Sequence, residues 1–144
     1  MPQSPVTISE QPTAADVAFR LAPRLNAPGR LGDASEALSL LIETDQRKAR
    51  AHAEACNELN IKRQAVQEGV LRDARAQVEE QLERGSPEVL VVGGDGWHAG
   101  VVGIVAAKLV DMYNRPSVVI AFEGEVGRGS ARTCLLYTSP SPRD

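Results

Sequence analysis

The chain has 144 residues, 42% of them hydrophobic and 24% charged, with a net charge of −3. That length allows one medium domain or two small ones, and the acidic balance excludes binding to nucleic acid by bulk charge, so any such contact has to be local. No apolar run reaches the ~18 residues of a membrane-spanning helix, and the first residues lack the basic and apolar regions of a secretory signal.

Two cysteines, Cys56 and Cys134, are too few for a disulfide framework, so a cytoplasmic location is expected. Only 3% of the residues are aromatic, which leaves the core to aliphatic side chains and alanine.

Residues 1–13, with three prolines, read as a linker or the torn edge of something larger. Ala14 to Leu21 reads as a short helix with Thr13 as N-cap and Asp16 completing a capping box, ended by Pro23. Phe19 to Asp33 places Arg20, Arg24 and Arg30 among proline and glycine breakers and reads as a loop, with Asn26 as a turn former. Arg30, between Gly29 and Gly32, sits where backbone can approach a ligand, and arginine suits bidentate phosphate contact. The same residues also suit a solvated loop paired with carboxylates. Asp33 to Thr44 predicts a helix capped by Asp33, with Ala34, Ala37, Leu38 and Leu41 buried.

Gln46 to Arg84 predicts one long helix, ~58 Å at ~1.5 Å per residue. Its apolar stripe runs through Ala49, Ala53, Cys56, Leu59, Val66, Val70, Ala74, Val78 and Leu82 and is interrupted at Asn60 and Gly69. A helix that long in a small protein is a strut or coiled-coil arm, here read as a strut. From Glu88 the pattern becomes βαβ, with a strand over Val89–Val92, a loop holding Gly93, Gly94 and Gly96, a helix from about Ala99 to Tyr113, and a parallel strand over Ser117–Phe122. Arg128-Gly-Ser-Ala-Arg-Thr then begins another strand or loop, and a strand edge is expected to stand open.

The glycine loop matches neither the dinucleotide fingerprint nor the P-loop, and indicates an anion site only in general terms. His98 lacks neighbouring metal ligands and reads as a hydrogen-bonding histidine or a phosphate contact. Trp97 reads as a packing residue or a base-stacking platform. Ser130 and Arg132, two apart on a strand, would offer a hydroxyl and a guanidinium on one side, or belong to an ordinary surface strand. No catalytic constellation and no metal cluster is apparent in the sequence.

Two blocks carry a family resemblance. Phe-Arg-Leu-Ala-Pro-Arg-Leu-Asn-Ala-Pro-Gly-Arg-Leu-Gly-Asp from Phe19, with Asn60-x-x-Arg63-Gln64, and Gly96-Trp-His-Ala-Gly-Val-Val-Gly-Ile-Val with Gly-Arg-Gly-Ser-Ala-Arg from Gly127, resemble the RecJ-type single-stranded-DNA-specific exonucleases of the DHH/DHHA1 phosphoesterase family. The resemblance implies an α/β fold. Residues 14–45 would be the C-terminal part of a DHH domain, 46–85 the connecting helix, and 86–133 the N-terminal part of a DHHA1 domain.

It further implies two-metal hydrolysis of phosphodiester bonds, 5′ to 3′, in DNA repair and recombination. The manganese or magnesium ligands would lie upstream, leaving this chain without catalytic or metal-binding residues and inactive alone. Ser130 and Arg132 match the family's phosphate-holding Gly-Ser-x-Arg, Arg30 becomes a third member, and His98 falls near the cleft. Single-stranded DNA is the implied partner, with single-strand binding protein or a helicase beside it. The alternatives are a DHH-family phosphodiesterase of short oligonucleotides or cyclic dinucleotides, and a non-catalytic nucleotide-binding module. Residues 134–144 resemble a translated sequencing adapter and are expected to be an artefact of library preparation.

Overall fold

The computed structural model describes residues 12–133. The expected adapter-derived stretch and nearly all of the expected linker therefore lie outside the described residues. The architecture is mixed α/β, in the order α1 (Ala14–Asp16), a π-helical turn (Val17–Leu21), α2 (Ala22–Leu31), α3 (Ser35–Ile42), α4 (Gln46–Arg84), β1 (Leu90–Asp95), α5 (Ala99–Tyr113), β2 (Ser117–Glu123) and β3 (Val126–Arg132). It divides into two compact units between Gln64 and Ala65, so α4 gives its first half to one unit and its second half to the other.

In the first unit the capping box forms as expected. The Thr13 hydroxyl accepts from the Asp16 N–H at 3.2 Å, and Asp16 Oδ2 accepts from the Thr13 N–H at 3.0 Å. The Thr13 hydroxyl, which also donates to Oδ2 at 2.7 Å, is the main reason the Asp16 carboxyl titrates below its ordinary value of 3.8. A depressed carboxylate stabilises the fold above its unfolded pKa, and the contribution is lost as pH falls through the folded value. Acidification below pH 3.8 is therefore expected to fray this first turn. The check is hydrogen exchange at the Asp16 amide, which should speed up in acid relative to the Thr13→Ala variant, whose cap is already missing.

The loop expected from Phe19 to Asp33 is instead helical. The wide π turn delivers Pro23 into the first turn of α2, where its absent N–H leaves no intrahelical bond unmade. Pro28 is tolerated inside α2 and is buried with Ala27. Asn26 is thus a helical residue and not a turn former, and Arg30 lies on the last turn of α2.

The buried face expected for α3 is also overturned. Ala37 alone is buried there, whereas Leu38 and Leu41 are 58% and 68% exposed. Their periodicity is helical, but among the described residues they have nothing to pack against. Asp33 caps one position early, its Oδ1 accepting from the Ser35 N–H at 3.0 Å. Side chains tie α2 and α3 to the first half of α4. Arg24 Nε donates to Asn57 Oδ1 at 3.0 Å, and His52 Nδ1 lies 2.6 Å from Glu36 Oε1.

Helix α4 spans the 39 residues the sequence predicts. Its buried positions Cys56, Asn60, Arg63, Gln67, Val70, Ala74 and Val78 recur at three- and four-residue steps. Asn60, read as an interruption, is therefore on the buried stripe, whose middle is polar.

The second unit is a three-stranded sheet in the order β1-β2-β3. β1 and β2 are parallel, from Leu90↔Ser117 to Asp95↔Phe122. β3 returns antiparallel, with Ser117↔Arg132, Val119↔Ser130 and Ala121↔Arg128 as partners. One face of the sheet meets Val101, Val105 and Leu109 of α5 and Val70, Ala74 and Val78 of α4 in a single aliphatic core. α5 ends at Asn114, which takes a left-handed conformation and returns its N–H to the Val110 carbonyl at 2.8 Å.

β1 runs three residues further than expected, through Gly93 and Gly94 to Asp95, and its outer edge is not bare. The Gln77 amide on α4 donates to the Gly93 carbonyl at 2.8 Å and accepts the Gly93 N–H at 3.1 Å. One turn on, Gln81 donates to the Val91 carbonyl at 2.7 Å.

Candidate phosphate-binding site

The Gly-Arg-Gly-Ser-Ala-Arg run is explained by strand alternation. On one face of β3, Gly127 and Gly129 lack the Cβ that would press on the Ile120 side chain of β2, at 3.1 and 3.2 Å. Arg128, Ser130 and Arg132 take the opposite face, toward α5. There the smallest residue of the helix, Gly103, makes room, since a Cβ at that position would stand 3.3 Å from both Ser130 Oγ and an Arg132 amino nitrogen.

Arg132 and Ser130 form a ready-made pair. One amino group of Arg132 donates to Ser130 Oγ at 2.9 Å and to the Ala131 carbonyl at 2.7 Å. Ser130 is half-buried and Arg132 exposed, so the pair presents a hydroxyl and a guanidinium to solvent from a rigid strand.

The turn after β1 is built on Gly96, and Gly94 lies two residues before it on the strand. Gly96 has a positive φ of 72°, which a side chain would strain. The Trp97 indole packs against Gly94, where a Cβ would stand 2.6 Å from the indole nitrogen. His98 follows as the N-cap of α5, its Nδ1 accepting from the Gly100 N–H at 3.0 Å. With Nδ1 so engaged, Nε2 carries the ring proton of the neutral imidazole. His98 thus combines the structural role of a hydrogen-bonding histidine with a place on a cavity wall, beside Trp97, Phe122 and Arg128.

Arg30 belongs to the first unit and is described there by itself. It lies close enough to Arg63 for their like charges to act on each other. Burial, and then the charge of Arg30, lower the Arg63 pKa from its ordinary value. Arg63 is 8% exposed and donates to Asn60 Oδ1 at 2.8 Å. The structure therefore brings Ser130 and Arg132 together and sets His98 in the same unit, while Arg30 joins a separate Arg30–Arg63–Asn60 group. Sequence reading missed Arg128, although the two-residue period from Ser130 and Arg132 extends to it.

Among the described residues no group of three or more histidine, cysteine, aspartate or glutamate side chains stands ready to hold a metal. The residues present do not fit a divalent-metal centre. Among them, too, no helix is long and apolar enough to cross a membrane.

A RecJ single-stranded-DNA-specific exonuclease of Bacillus subtilis is 42% identical over 120 residues, or 81% of this chain. The crystal structure of RecJ in complex with Mg2+ from Thermus thermophilus superposes on 88% of the chain with a TM-score of 0.73 and 34% identity.

The chain is homologous to a segment of RecJ.

It spans 15% of the Bacillus subtilis RecJ and 19% of the Thermus thermophilus RecJ chain. A second structure of the Thermus thermophilus RecJ, in complex with Mn2+, agrees with a TM-score of 0.71. No family model matches the chain. The two RecJ structures bear out the mixed α/β fold with its long helix and three-stranded sheet.

Proposed function

We propose that this chain is a segment of a RecJ-type single-stranded-DNA exonuclease that hydrolyses phosphodiester bonds 5′ to 3′ in DNA repair and recombination. The observation that carries this reading is the Ser130–Arg132 pair, preassembled at 2.9 Å on a strand and exposed to solvent. A hydroxyl beside a guanidinium suits a terminal phosphate monoester, to which arginine makes strong charge-assisted bonds. Homology to RecJ supports single-stranded DNA as the bearer of that phosphate.

On this reading residues 14–45 close a DHH domain, 46–85 connect, and 86–133 open a DHHA1 domain. Manganese or magnesium would be held elsewhere in the longer protein, where it would activate the attacking water. This segment supplies grip and no chemistry, and by itself is inactive. Arg30 and His98 are proposed as further contacts to the strand. A cytoplasmic location and a single-strand binding protein or helicase as partner belong to the same proposal. The exposed Leu38 and Leu41 are consistent with a first unit that packs against more protein than this chain contains.

The test compares a 5′-phosphorylated single strand, the same strand with a 5′ hydroxyl, and a mononucleotide. The phosphate is expected to tighten strand binding, and Arg132→Ala to remove that gain, about tenfold for one charge-assisted contact. Equal binding of both strands by wild type would remove Ser130 and Arg132 from the site. Binding of mononucleotides alone would favour a nucleotide-binding module over the exonuclease.

A further inference from the structure

We propose that the cavity at the carboxyl end of β1 and β2 is a second nucleotide subsite, in which Arg128 holds the internucleotide phosphodiester next to the terminal phosphate. The inference rests on the single-strand reading above and adds a residue and a position to it.

A cavity of about 630 Å³ opens there, lined by Trp97, His98, Phe122, Glu123 and Arg128 among others. Its walls combine the Trp97 indole and the His98 imidazole with one guanidinium and one carboxylate, while the Phe122 ring lies on the other face of the sheet, against Gly93 and Gly127. Such a lining suits a nucleoside, which has a flat apolar base and polar edges. Arg128 is exposed, and its side chain makes no hydrogen bond or ion pair among the described residues. Arg24 and Arg115, by contrast, are engaged by named partners.

The row of side chains fixes the spacing. Arg128 lies on the same face of β3 as Ser130, two residues away. At ~3.4 Å per residue that separates them by about 7 Å. Phosphates of an unstacked single strand lie further apart than the ~3.4 Å rise of a stacked one, so a terminal phosphate at Ser130–Arg132 puts the next one within reach of Arg128. Charge supports the order of the two subsites. The Arg128 guanidinium matches the single charge of a diester, and Glu123 in the same cavity repels a dianion more than a monoanion. The dianionic monoester goes to Ser130 and Arg132.

The experiment titrates the 144-residue chain with thymidine 5′-monophosphate, a short 5′-phosphorylated oligothymidylate and its 5′-hydroxyl counterpart, at several salt concentrations. Arg128→Ala is expected to weaken both oligonucleotides about tenfold and to reduce the salt slope by about 0.7, the share of one single-strand phosphate. It should leave mononucleotide binding and the 5′-phosphate preference unchanged, and Arg128→Lys should restore most of the loss.

Oligonucleotide binding by Arg128→Ala equal to wild type overturns the subsite. So does an equal loss for the mononucleotide, which would place Arg128 at the terminal phosphate. Failure of the wild-type chain to prefer oligonucleotides over the mononucleotide instead overturns the single-strand reading beneath it. Circular dichroism of the variant confirms the fold, which this exposed side chain does not support.

Discussion

Replacing Gly94 by alanine is expected to red-shift the fluorescence of Trp97 and to destabilise the second unit by about 3 kcal/mol, the upper end for overpacking a filled site. Trp97 is the only tryptophan in the chain, so its emission reports on this one location. The added methyl would come 2.6 Å from the indole nitrogen and 2.9 Å from Cδ2. Because both atoms belong to the rigid double ring, the ring must move as a whole. Trp97 packs against the aliphatic core, and lifting it exposes apolar surface there.

The next residue is His98, whose ring caps α5, so the displacement carries into the cavity wall. Strand binding should weaken with the same substitution. Gly96→Ala is the informative control. It strains a backbone φ of 72° but meets no atom within 4 Å, so it should lower stability with less change in emission. An unchanged spectrum and unfolding midpoint for Gly94→Ala would show that the indole does not rest on Gly94.

The parts of this structure legible in the sequence are those fixed by local pattern. The three- and four-residue apolar period sustained over the 39 residues of α4 marks that helix, and the βαβ pattern gives α5 and the parallel pairing. The Thr13–Asp16 box forms because its partners are three residues apart. What was misread depends on surroundings. Pro23 ends a helix in general, but a π turn admits it to the start of α2. Leu38 and Leu41 have the spacing of a buried face but stay exposed among the described residues.

At the site, Ser130 and Arg132 could be paired from alternation alone. The role of Gly103 opposite them could not, because it depends on how α5 crosses β3. Asn60 reads as an interruption of the apolar stripe and Arg63 as a motif residue, and only the packing of the first unit shows both buried.

The same limit applies to Gln77, whose role is invisible in sequence. Gln77→Leu is expected to destabilise the second unit by about 2 kcal/mol, through a Gly93 N–H and C=O that lose their partner together. β1 is the edge of the sheet among the described strands, and an edge strand exposes a row of unmade backbone bonds. Gln77 answers one residue of that row with both ends of a single amide, as a neighbouring strand would. Gln81 takes the Val91 carbonyl two residues earlier, and the four-residue helical step between the glutamines matches the two-residue step along the strand.

The measurement is urea unfolding together with hydrogen exchange at the Gly93 amide, which should lose protection in the leucine variant. Gln77→Glu separates the two bonds. Its carboxylate can still accept the Gly93 N–H, but it turns a repelling oxygen toward the Gly93 carbonyl, so it should fall below wild type as well. Full stability of both variants would mean that water serves Gly93 equally well. If both lose stability, α4 holds β1 in place at Gly93, beside the Gly94 on which the Trp97 indole rests, and thereby orients the cavity wall that Trp97 and His98 build.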